Sequence, residues 1–177
     1  MNELGLQLST DPQVLAIPYF YGKLSFWAVG LPVVGPIVRA HHVSAFQRFV
    51  MKKCKENPEA LPDAIGHSLG SYLIFESMRA EDAPRAFYRR VCLMAAPVSS
   101  REDFEDVQGH FWEMLNLWSD ADEVVRWNPF GHAGWKGFLH ATAYNRVRNL
   151  DMTPYKHRNY TEPGRAWDVA AGFLKSG

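Results

Sequence analysis

The stretch DAIGHSLGSYLIF, residues 63–75, carries a serine between two glycines, with a short apolar run before it and a longer one after it. Residues 69–80 are good helix-forming sequence and stop at Glu81, Asp82 and Pro84, whereas the run before Ser68 is too short for a helix. The pattern predicts strand, tight turn, helix. A chain built around such a unit must cover the strand on both faces, so the rest of the sequence has to supply partner strands and packing helices.

It supplies both. VLAIPYFY, residues 14–21, is β-branched and aromatic and closes on Gly22, which predicts a largely buried strand, although Pro18 weakens a central position. Val43, Phe46, Phe49, Val50 and Cys54 recur at helical spacing, and Lys52, Lys53 and Lys55 stand near the end, where the helix dipole favours cations. A helix over 36–56 follows. RRVCLMAAP predicts a buried strand over 89–96, and SSREDFEDVQ offers a serine N-cap with acidic residues in the first turn of a helix. HFWEMLNLW, residues 110–118, reads as a strand that stops at the polar SDAD, and RVRNLDMT, residues 146–153, as the last strand. Over 163–175, Ala166, Val169, Ala170, Phe173 and Leu174 make a closing amphipathic helix, with Pro163 allowed in its first turn. Strands alternating with helices imply right-handed crossovers. The expected fold is α/β, a compact three-layer sandwich with a mostly parallel sheet of about five strands and ligands bound at their carboxyl ends.

With 177 residues, 47% of them hydrophobic and 14% aromatic, the chain fills one core, so residues 1–177 are expected to form a single domain. Nineteen basic residues balance nineteen acidic ones, which argues against nucleic acid or an anionic membrane surface and for a small neutral or apolar partner. Cys54 and Cys92 lack disulfide or zinc-site spacing and read as reduced core thiols. MNELGLQLSTDPQ lacks the basic-then-apolar layout of a signal peptide, so a cytoplasmic location is expected. The uncharged stretch 24–38 is shorter than a bilayer crossing and broken by Gly30, Pro32, Gly35 and Pro36, so no membrane span is expected.

Gly66-His67-Ser68-Leu69-Gly70 fits the Gly-x-Ser-x-Gly pattern of a nucleophile elbow. There a serine sits in strained geometry between strand and helix, and side chains at either flank would collide with neighbouring elements. The following helix aims its free N–H groups at the serine, which stabilises an oxyanion. The competing reading makes Ser68 an ordinary helix cap. His67 reads as a space-filling residue whose side chain projects away from that of Ser68. His41, His42, His110 and His140 show no metal-ligand pattern, and no cofactor is implied.

IGHSLGSYLIFESM resembles the elbow and following helix of the α/β-hydrolase superfamily of serine esterases and lipases. The resemblance implies a serine, an acid and a histidine in that chain order, each at the carboxyl end of a strand. LNLWSDADEVV resembles the acid turn and picks Asp122 ahead of Asp120, with Glu123 and Asp151 as competitors. NLDMTPYKHRNY resembles the histidine loop and picks His157, with His132 as the rival base. Only one strand and one helix precede Ser68, fewer than in the full family. Either the loop after residues 14–21 supplies the second oxyanion donor, with Gly22 allowing close approach and Lys23 or the Tyr21 hydroxyl nearby, or the oxyanion strand is missing. The Leu69 N–H serves as first donor in both cases. Phe26, Trp27, Val29 and Leu31 would line an acyl pocket or form a lid, or else cover the sheet or fill a homo-oligomer interface; Trp127, Phe130 and Trp135 carry the same choice. The implied activity is hydrolysis of a small-molecule acyl ester or thioester, and the rival is a non-catalytic hydrolase-like binding module. A nucleotide-binding domain ranks lower, since both the G-x-G-x-x-G fingerprint and the P-loop are lacking.

Overall fold

The computed structural model describes residues 34–58, 60–80, 83, 87–128 and 131–176. Helix α1 (Val34–Glu56) leads to strand β1 (Ala64–His67) and helix α2 (Leu69–Arg79), then to β2 (Tyr88–Met94) and β3 (Phe111–Trp118). Two short helices, α3 (Glu123–Arg126) and α4 (Ala133–Lys136), precede β4 (Val147–Asp151), and α5 (Arg165–Lys175) closes the fold. The strands form one parallel sheet in the order β1-β2-β3-β4, with Gly66 opposite Leu93, Met94 opposite Leu117 and Leu117 opposite Leu150. The fifth strand expected over 14–21 lies outside the described residues, as does most of the apolar stretch 24–38. Among the described residues no helix is long and apolar enough to cross a membrane.

Strand alternation sorts the apolar side chains into two cores. Val91, Leu93 and Met114 face α2, where Leu73, Ile74, Phe75 and Met78 are buried, and α1 rests on α2 through Phe46 and Val50. Cys92, Met94, Leu115 and Leu117 point the other way, against Ala166, Trp167, Ala170 and Phe173 of α5. The result is helix, sheet, helix. Cys92 and Cys54 are free thiols, and full burial pushes that of Cys92 up to about 12, so it stays protonated.

Polar groups tie the layers together. The guanidinium of Arg89 forms a two-toothed pair with Asp63, while Arg90 donates to the carbonyls of Leu174 (2.8 Å) and Ser176 (3.0 Å), satisfying the end of α5. The fully buried Asn116 of β3 donates to the Ala133 carbonyl (2.9 Å) and to Asn149 Oδ1 (3.1 Å). Asn149 in turn brackets Phe138, accepting its N–H at 3.0 Å and donating to its carbonyl at 2.7 Å. These amides hold the segment between β3 and β4 against the sheet.

One expected helix is absent: SSREDFEDVQ folds as successive turns that reach only a 3₁₀ turn at Gln108–His110. Ser99 Oγ accepts the Arg101 N–H and Asp103 Oδ1 accepts the Glu105 N–H, local bonds that compete with a helical backbone. Phe104 then turns inward at φ 61° to bury its ring against Phe75, Phe138 and Tyr144. Core packing outweighs the acidic first turn. Phe75, fully buried at the centre of this cluster, is expected to cost about 3–5 kcal/mol of unfolding free energy as Phe75→Ala, read from urea midpoints.

Candidate active site

At the carboxyl end of β1 the chain reverses through one residue. Ser68 has φ 52° and ψ −121°, a conformation disfavoured for any residue with a Cβ, and costing on the order of 1–3 kcal/mol. Its N–H donates to the Met94 carbonyl at 2.9 Å, so the neighbouring strand holds the turn, and its carbonyl accepts the Tyr72 N–H as α2 begins. Ser68 precedes α2 in the cap position, yet its side chain makes no capping hydrogen bond. That is the bond the helix-cap reading requires.

The flanking glycines differ. A Cβ on Gly66 would lie 2.6 Å from the Ser71 backbone nitrogen and 2.7 Å from the Gly70 carbonyl carbon, so only glycine lets α2 start this close to β1. A Cβ on Gly70 would meet nothing within 4 Å among the described residues. The expected collision at both flanks is thus found at Gly66 alone, because Gly70 already lies on the open side of the first helical turn. Leu69 opens α2, where a backbone N–H has no partner within the helix.

The chain leaves β3 through Ser119 and Asp120 to reach Asp122. The Asp122 side chain is 0% exposed; it caps α3 by accepting the Val125 N–H at 3.1 Å, and Oδ2 lies 2.9 Å from His157 Nδ1. Oδ1 is 3.2 Å from the same nitrogen. A carboxylate only accepts, so Nδ1 carries the proton and the Nε2 lone pair of a neutral ring stays available. Asp120 is occupied elsewhere: its carboxylate accepts the Thr153 hydroxyl at 2.9 Å and its carbonyl accepts the Trp135 indole N–H at 2.8 Å. Asp151 accepts the Thr153 N–H, and Glu123 is exposed in the first turn of α3.

His157 opens a 3₁₀ turn (His157–Thr161) after β4. The turn is held where Lys156 N–H donates to Asn159 Oδ1 (2.8 Å) and where the Trp167 indole of α5 donates to the carbonyl of buried Tyr160 (2.8 Å). His132, the rival base, precedes α4, and its ring packs edge-on to Trp135. His67 does more than fill space. Its ring lies 4.7 Å from that of His157, and its Nε2 is 3.2 Å from the His157 carbonyl. Burial, reinforced by His157, pushes the His67 ring down to about 4. Nothing in a separation of ninety residues announces this contact.

Tyr21, Gly22, Phe26 and Trp27 lie outside the described residues, as do Lys23, Val29, Leu31 and Phe130. Trp127 is 78% exposed, with the Arg126 guanidinium 5.4 Å from its ring centre and equally near that of Trp135. Among the described residues no group of three or more histidines, cysteines or carboxylates is placed to hold a metal ion.

No family model matches the chain, and no curated protein matches it significantly. A solved structure that does is a carboxylesterase from Mesorhizobium loti, with a TM-score of 0.51 and 16% sequence identity. The match covers 80% of this chain and 62% of that one, so the chain spans less than two thirds of the esterase it resembles. The likeness shows the fold: a hydrolase-like α/β arrangement around a parallel sheet.

Gly66→Ala is expected to cost about 3 kcal/mol or more in urea unfolding, since backbone must move, while Gly70→Ala stays within about 1 kcal/mol of wild type. The low pKa of His67 gives a second expectation. The unfolded ring takes up a proton below about 6.5 and the folded ring only near 4, so stability falls as pH drops through that window and is unaffected above it. His67→Gln should flatten this part of the urea-midpoint profile between pH 6.5 and 4 and leave the neutral arm parallel to wild type.

Proposed function

We propose that the protein is a serine hydrolase that cleaves a carboxylic ester or thioester through an acyl-enzyme on Ser68. The observation that carries this reading is the strained Ser68 turn, made without a capping bond, whose neighbour in the chain, His67, packs against a histidine with its Nδ1 bonded to a buried carboxylate. Backbone strain of that kind persists only where the surroundings enforce it, and presenting a nucleophile at a helix start is a use for it.

In the proposed reaction Ser68 Oγ attacks the acyl carbon as His157 Nε2 takes the hydroxyl proton. Asp122 keeps the proton on Nδ1 and stabilises the imidazolium. The tetrahedral oxyanion accepts from the Leu69 N–H at the positive end of α2. Collapse expels the alcohol or thiol with the proton from His157, and water, deprotonated by the same ring, releases the acid. The balanced charge read from the sequence supports a small uncharged acyl ester as substrate rather than a nucleic acid.

Hydrolysis of p-nitrophenyl esters from acetate to a long acyl chain tests the reading. Ser68→Ala and His157→Ala should each lower kcat on the order of 10⁴-fold or more, and Asp122→Asn on the order of 10⁴-fold, with folding retained. A fluorophosphonate label should attach to the wild type and fail to attach to Ser68→Ala. A folded wild type that neither hydrolyses any ester of the series nor takes the label would sink the proposal and leave a binding module.

A further inference from the structure

His67 stands beside Ser68 in the chain and has no part in the acyl-transfer steps above. It is the last residue of β1, paired in register with Met94 of β2, so its backbone is as fixed as the sheet. Its Nε2 lies 3.2 Å from the His157 carbonyl, and its ring packs at 4.7 Å on the His157 ring and at 6.1 Å on that of Tyr160. A carbonyl can only accept, so the bond requires the tautomer with its proton on Nε2. His157 is therefore held at two ends, its ring by Asp122 and its main chain by His67.

We propose that His67 is a positioning residue, whose Nε2–H bond to the His157 carbonyl and ring contact fasten the His157 turn to the strand that delivers Ser68. The inference rests on the proposed roles of Ser68 and His157. Proton transfer between two side chains is steep in distance, and the two arrive on elements far apart in sequence, so a tie between their backbones bears directly on the rate. Asp122 sets the tilt of the imidazole, and the His67 bond ties the turn behind it to β1. The titratable groups facing His67 are His157 and Tyr160 of the 3₁₀ turn and Asp122 of the loop after β3. A charged anchor would repel the imidazolium formed in each turnover. Buried as it is, the His67 ring stays a neutral donor throughout the neutral range.

The test compares His67→Phe, which keeps an aromatic ring and loses the donor, with His67→Gln, which restores an N–H donor. On p-nitrophenyl acetate, His67→Phe should lower kcat by roughly 10- to 100-fold with KM little changed, and His67→Gln should recover most of that loss. Independently of activity, the downfield proton resonance of the His157 Nδ1–H bonded to Asp122 should weaken or vanish in His67→Phe and persist in His67→Gln. Wild-type kcat together with an undisturbed resonance in folded His67→Phe overturns the proposal, and so does a folded His67→Gln as impaired as the phenylalanine variant. Should His67→Phe fail to fold, His67→Met takes its place under the same criteria. If the wild type hydrolyses no ester, the reading of the reaction fails, while the resonance still decides whether His67 positions His157.

Discussion

Ser71 Oγ lies 2.7 Å from the Gly66 carbonyl and 3.0 Å from that of Met94, accepts the Met94 N–H at 3.1 Å, and is wholly shielded from water. One hydroxyl thus joins the first turn of α2 to the ends of β1 and β2. It has a single proton, shared between two carbonyls, and an unmet partner at this depth would cost about 1–3 kcal/mol. The hydroxyl reaches both strands because Gly66 presents no Cβ to the helix. With strand and helix that close, one residue must carry the entire change of direction, and Ser68 does so in a conformation it would not choose alone. Sheet, helix and candidate nucleophile therefore share one constraint.

The other half of the site meets a different demand. A carboxylate withdrawn from water loses its hydration and must regain it from donors. Asp122 obtains one N–H from Val125 within its own turn and one from His157 across the site. The second of these bonds also fixes which nitrogen of His157 bears the proton. Ser68 comes from the end of β1, Asp122 from the loop after β3 and His157 from the turn after β4, so each follows the carboxyl end of a strand.

The sequence is most legible where periodicity and local chemistry agree. Val91 to Met94 show an unbroken apolar run because both sheet faces are covered, and the spacing of Ala166, Ala170 and Phe173 matches the face that α5 buries. The strand-turn-helix around Ser68 is legible for the same reason. What stays hidden depends on distant partners. Asp120 and Asp122 lie in one polar loop, and only the resemblance to an acid turn ranks Asp122 ahead of Asp120; that Asp120 turns to Thr153 and Asp122 to His157 depends on segments thirty or more residues away. The helix expected over SSREDFEDVQ fails because a core position draws in Phe104, and a cap pattern carries no information about that demand. Gly70 matches the motif as well as Gly66 does, yet only the packing of α2 separates them. The contact of His67 with His157 is tertiary in origin, and neither residue type nor spacing encodes it.

Among the described residues the order of strands across the sheet is also their order along the chain, so each of these strands docks on its immediate predecessor. A polypeptide emerging from the ribosome can extend such a sheet vectorially, without waiting for distant segments to return. The candidate site does not share that locality: its acid and histidine are 35 residues apart, and His67 and His157 are 90 apart. Loop-closure entropy is lost last, when the final turn docks against the edge of an already assembled scaffold. The nascent chain thus acquires its architecture well before the His157 turn meets its partners, and Ser68 takes up its strained turn ahead of that docking.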